Sequence, residues 1–127
     1  PSRGLGDVYK RQVLFVGWCV VCGGSNRCVY VRARVCAVAS SGDVDAIVAV
    51  GAVVRGETTH YEIVSEGCAA GIQQVQLETA VPIAFGVLTV ESTEQAMERS
   101  QGPGLHNVGE EAAIASIEMA RLTEMWA

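Results

Sequence analysis

The amino-acid sequence predicts an α/β domain built on an open parallel sheet, and three observations carry that expectation. The run "DVDAIVAVGAVV" (residues 43–54) is almost continuously apolar and β-branched, as a strand covered on both faces requires. A helical pattern of about twenty residues separates it from a second apolar run, "PIAFGVLTV" (82–90). The order strand, helix, strand, helix, helix is one that right-handed crossovers fold into a parallel sheet.

Each element has its own signal. The first strand runs into "GAVVRGETTHYEIV" (51–64), where Thr59 with Glu62 three residues on reads as a capping box. Val64, Cys68, Ile72 and Val75 then recur on one helical face, and the helix is expected to end near Thr79. Gly71 on that face admits a close neighbour. Pro82 opens the second strand. Ser92 with Gln95 forms another capping box and starts a short helix to about Arg99. "SQGPGLHN" (100–107) is made of turn residues. Asn107 with Glu110 starts the last helix, whose apolar face is read as Ala113, Ile114, Ile117 and Ala120. Glu110 and Glu111 in its first turn and Arg121 in its last suit the helix dipole. Two strands make no stable open sheet, so further strands must come from upstream.

A chain of 127 residues suits one domain with a single core. An apolar content of 50% and a mean hydropathy of +0.29 exclude disorder. No apolar run reaches the roughly 18 residues of a membrane span, and the net charge of −5 argues against a nucleic-acid surface. Neither membrane nor nucleic acid is therefore expected as a partner; the location expected is cytoplasmic.

Composition changes sharply along the chain. From Ala39 onward there are thirteen acidic residues, three arginines and no lysine; residues 13–38 have no acidic residue, three arginines and four cysteines. The stretch "PSRGLGDVYKRQ" (1–12) resembles the translation of a sequencing adapter and is set apart from the domain. Its Tyr9-Lys10-Arg11 ahead of an apolar stretch has the outline of a signal peptide, but no small-residue cleavage site follows. Cys19 and Cys22 have the spacing of half a zinc knuckle, without the second pair that a structural zinc needs, so no metal is expected. Residues 13–38 read instead like a GC-rich gene translated out of frame. The N-terminal part of the sheet is accordingly expected to be missing or garbled, with residues 1–38 extended or ill-packed, open sheet edges and a poorly folding chain. The domain proper is placed at 39–127.

Ligands of open parallel sheets bind beyond the carboxyl ends of the strands. The loop from Gly51 to Thr59 lies there and leads into a helix N-terminus, whose free N–H groups and dipole favour an anion such as phosphate. Gly56 permits close approach and Thr58 adds a hydroxyl donor. Arg99 could grip an anion in bidentate fashion, and His60 can exchange protons near neutral pH. Each has a plainer reading: Thr58 and Thr59 as caps, His60 as a surface helix residue, Arg99 as a partner of Glu94 or Glu98. Arg55 is assigned a structural role beside Glu57 or a neighbouring subunit, His106 to solvent and Phe85 to the core.

Four motifs in one order, R-G-x-T-x-H (55–60), F-G-V-L-T (85–89), E-Q-A-x-E-R (94–99) and I-E-M-A (117–120), make the chain from about Ser41 to Leu122 resemble the lumazine synthases of riboflavin biosynthesis. That resemblance implies a flavodoxin-like subunit, a three-layer α/β/α arrangement with four parallel strands. It implies pentamers, in some members joined into 60-subunit shells, and riboflavin synthase as a partner. The reaction implied condenses 5-amino-6-(D-ribitylamino)uracil with 3,4-dihydroxy-2-butanone 4-phosphate to 6,7-dimethyl-8-ribityllumazine, phosphate and water, with no metal or cofactor. By position, His60 corresponds to the proton-transfer histidine, Glu57 and Thr58 to the phosphate loop, and Arg99 to the arginine that grips the phosphate. Ala52, Val53 and Val54 correspond to the lining of the ribityl and pyrimidine pocket. Phe85 corresponds to a pyrimidine contact that, like Arg99, reaches the site from the adjacent subunit. Two departures stand out. The chain has Asn107-Val108-Gly109 where the family usually has N-K-G, and "RCVY" (27–30) where a P-G-x-F-E-like turn is expected. The last-named departure fits a shifted frame; both leave room for a weak or inactive shell-forming or flavin-binding relative.

Overall fold

The computed structural model describes residues 13–21 and 31–126. The adapter-like stretch, Cys22, Cys28 and the expected turn at 27–30 lie outside the described residues. The elements are β1 (Val13–Val21), α1 (Val31–Ser40), β2 (Ala46–Val54), α2 (His60–Thr79), β3 (Ile83–Val90), α3 (Thr93–Glu98) and α4 (Val108–Met125). All three strands are parallel, in the order β1-β2-β3. This is the expected flavodoxin-like α/β architecture, with three described strands.

The front of the chain departs from expectation. Nine residues of "VLFVGWCVV" form β1, paired with β2 from Val13↔Ala46 to Val21↔Val54. Residues 31–38 are not ill-packed: Val31, Val35 and Ala39, spaced four apart, bury one face of α1 in the core. An apolar strand and an i, i+4 stripe suffice for both elements. With β1 in place, β2 is flanked on both sides and is not half of an isolated pair.

Strand alternation divides the core. Ile47, Ala49 and Val53 of β2, with Ile83 and Val87 of β3, pack against Val31, Val35, Val64, Cys68, Ile72 and Val75 of α1 and α2. The opposite face of the sheet receives α4. Gly71 is where α1 crosses α2: a Cβ there would stand 3.2 Å from Arg32 Cβ. The end of α2 is tied to the next strand, since Ile83 N donates to Gln76 Oε1 at 2.6 Å.

The buried face of α4 shares only Ala120 with the expected one. Ala112, Ser116 and Ala120 are buried, whereas Ile114 is 52% and Ile117 44% exposed. The cause is close approach. A Cβ on Gly86 of β3 would lie 3.1 Å from Ala112 Cβ and 3.1 Å from the Ala49 carbonyl oxygen. Only small side chains fit this contact, so the helix turns them inward and leaves its isoleucines outward.

Caps agree in part. Ser92 Oγ accepts from Gln95 N at 3.3 Å, and Asn107 Oδ1 accepts from Glu110 N at 2.9 Å. Thr59 occupies the N-cap of α2 but its side chain makes no capping bond. Glu62, its expected partner, is held by Arg55 instead; a full guanidinium charge outcompetes a single backbone N–H for the carboxylate.

Candidate active site at the carboxyl ends of the strands

Val54 and Val90 end β2 and β3 in register, and Arg55 N donates to Val90 O at 2.9 Å, extending the ladder by one bond. The first four residues of β2 are buried, while Val50, Gly51, Ala52 and Val54 near its carboxyl end are only half-buried. A central strand that is closed at one end and open at the other puts its accessible surface where ligands of parallel sheets bind. Ala52 and Val54 lie on that open end, with buried Val53 between them.

The chain then turns through Gly56, Glu57, Thr58 and Thr59, all exposed, into half-buried His60, the first residue of α2. Thr58 Oγ1 accepts from His60 N at 3.4 Å, a long and weak bond that a better acceptor can replace. Helix α2 has 20 residues, enough for a full terminal dipole of about half a positive charge beside this loop.

Arg55 organises the junction. Its guanidinium bonds Glu62 of α2 through Nη1 and Glu91, just beyond β3, through Nε at 2.6 Å, and lies 4.2 Å over the Tyr61 ring. Arg55 holds Glu62 below the usual carboxylate range, mainly through their hydrogen bond, and Glu62 in turn raises Arg55. The expected structural role is thus right in kind, but its partners lie in the same chain and Glu57 is not one of them. A signal was available: Val54 pairs with Val90, so the next residues in parallel register are Arg55 and Glu91.

Arg99 ends α3, on the connection that leaves the same end of the sheet. Its Nη1 donates to Gln95 O at 3.0 Å and lies 3.6 Å from Glu98 Oε2. None of these bonds joins it to His60. Its backbone is fixed, because Val108 N donates to Arg99 O at 3.0 Å and Ser100 bridges to Asn107. His106 is exposed, as expected. Phe85 is not core: it is 40% exposed on β3, the outer strand of the three on that side. It pairs with Ala49 and lies five residues before Val90, about 17 Å from the open end along the strand. One chain therefore gathers Ala52, Val53, Val54, Glu57, Thr58 and His60 along one stretch, while Phe85 lies back along β3 and Arg99 follows α3 with only local partners.

A flavodoxin-like α/β domain with a polar loop and a helix N-terminus at its strand ends is a scaffold on which small molecules bind beyond the strands. The family model of 6,7-dimethyl-8-ribityllumazine synthase matches residues 18–124, and the chain belongs to that family. The family is one of transferases in riboflavin biosynthesis. The match begins within β1, ahead of the stretch that the motifs alone marked out.

Proposed function

We propose that the chain condenses 5-amino-6-(D-ribitylamino)uracil with 3,4-dihydroxy-2-butanone 4-phosphate, giving 6,7-dimethyl-8-ribityllumazine, phosphate and water. The observation that carries this reading is the junction of β2 with α2, where Glu57, Thr58 and His60 stand together at the open strand end in a member of this family. The phosphate docks against the loop amides and the start of α2. His60, beside it, moves the protons that imine formation, phosphate elimination and ring closure require. Ala52 and Val54 line the ribityl and pyrimidine pocket, while Val53 between them turns its buried side chain to the core and offers only its backbone there.

Charge explains why one chain is not enough. Glu57, Glu62 and Glu91 against Arg55 leave two negative charges around the mouth, more than the half charge of a helix dipole offsets. A dianion needs another cation, and Arg99 of an adjacent subunit supplies it. Exposed Phe85 reaches the pyrimidine across the same boundary, and the outward Ile114 and Ile117 suit a covered surface. The assembly is a homopentamer, alone or as part of a 60-subunit shell, acting in the cytoplasm beside riboflavin synthase.

A second reading, a shell-forming or flavin-binding relative without turnover, is favoured by one observation: Val108 stands where a lysine is usual. One assay separates them. Purified protein incubated with both substrates is expected to form lumazine, followed by absorbance and fluorescence, faster than the uncatalysed control. An intact assembly that leaves the rate at the control value refutes the enzyme reading.

A further inference from the structure

We infer that Arg55 is a positioning residue that makes the strand end able to receive an anion, by tying down two carboxylates that would otherwise repel it and offsetting one of their two charges. The inference rests on the phosphate-binding reading of the loop from Gly56 to His60 and adds a residue to it.

Glu91 follows β3, and Glu62 lies in the first turn of α2, two residues from His60. Both stand at the end of the sheet where the anion is to bind, and neither can serve it directly. Arg55 bonds the two at once, with Nη1 on Glu62 and Nε on Glu91. Its guanidinium also covers the Tyr61 ring at 4.2 Å, a contact that restricts the first turn of α2. A planar fork with several donors can hold two carboxylates in fixed directions; an ammonium on a flexible stem cannot. Without Arg55, the two carboxylates would face each other and any incoming dianion, and the loop would lose its link to β3. Nη1 and Nε are committed to the two carboxylates, so the effect of Arg55 passes through Glu62, Glu91 and the loop.

The test uses the full chain and two readouts: inorganic phosphate binding, by calorimetry or phosphorus NMR, and steady-state kinetics. Arg55→Met is expected to weaken phosphate binding about tenfold at low salt and to raise KM for the phosphate-bearing substrate by a similar factor. KM for the pyrimidine should stay within about twofold. The triple variant Arg55→Met, Glu62→Gln, Glu91→Gln is expected to recover most of the lost phosphate affinity, whereas Arg55→Lys should recover only part. Unchanged phosphate binding in Arg55→Met, or a triple variant as weak as the single one, overturns the inference. A wild-type chain that binds phosphate and follows this pattern without forming lumazine sinks the proposed reaction and leaves the role of Arg55 standing. A wild-type chain that binds no phosphate removes the role of Arg55.

Discussion

Gly86 is the point at which sheet and helix constrain each other most tightly, and Gly86→Ala tests whether α4 packs as described. The added Cβ would meet Ala112 Cβ at 3.1 Å, Ala49 O at 3.1 Å and Val50 Cγ1 at 3.2 Å. All three distances are shorter than ordinary van der Waals contact, and one neighbour is backbone in the adjacent strand, which cannot swing away. Overpacking of this kind costs about 1–3 kcal/mol. The alanine also lowers the entropy of the unfolded chain, which offsets about 0.4–1 kcal/mol. The net loss is about 1–2 kcal/mol, and a chain of 127 residues converts this to a fall in Tm of about 4–8 °C. Melts followed by circular dichroism or calorimetry should be compared at equal protein concentration, because assembly makes Tm concentration-dependent. Adding Ala112→Gly relieves one of the three contacts and leaves the Ala49 carbonyl, so the two substitutions should be non-additive. A Gly86→Ala protein that melts at or above the wild-type temperature would refute the packing of α4 on β3.

Three further predictions follow from the site and the chain. His60→Gln should lower kcat by about 10²–10⁴-fold over the catalysed part of the rate, with phosphate binding retained, as measured by lumazine formation. Because Arg55 depresses Glu62 below its ordinary value of 4.5, their pairing stabilises the fold above that pH and is lost as the pH falls through the lowered value. The acid limb of the melting profile should accordingly be shallower in Glu62→Gln, less so at high salt because the pair is partly exposed; identical limbs would contradict the pairing. Finally, sequencing the coding DNA over the first forty codons is expected to restore a P-G-x-F-E-like turn near residues 27–30, and deep coverage of the present frame would disprove the shift.

Where the sequence could be read, local chemistry was left uncontested. β2 and β3 stood out because uninterrupted apolar runs have one structural use at that length, and α2 because Val64, Cys68, Ile72 and Val75 keep helical spacing over a face that is buried. Ser92 and Asn107 cap as expected because nothing competes for Gln95 N or Glu110 N. Thr59 and Glu62 failed as a pair because a guanidinium from the preceding loop takes the carboxylate, a contact set by tertiary position. The face of α4 departs from its hydrophobic pattern for a similar reason: hydrophobicity points to Ile114 and Ile117, but the glycine on the facing strand demands small residues, and of the expected face only Ala120 is buried. Phe85 in mid-strand looked like core because its place at the outer edge of the described sheet depends on strand order. β1 and α1 were discounted for their composition, yet an apolar run and a Val31, Val35, Ala39 stripe were sufficient to form them. Ala52 to His60 fall at one strand end because they are contiguous across the junction of β2 and α2. Phe85 and Arg99 come from separate elements, and no local pattern ties them to that stretch.

Subunit complementation tests the shared site most directly. On the proposed reading, His60→Gln and Arg99→Met each disable a different half of it. If Arg99 serves the adjacent subunit, unfolding and reassembling the two variants together in equal amounts rebuilds intact sites, and about a quarter of wild-type activity should return. Mixed assemblies that form normally yet stay as inactive as either parent would place both groups in one subunit or outside the site, and would contradict the account.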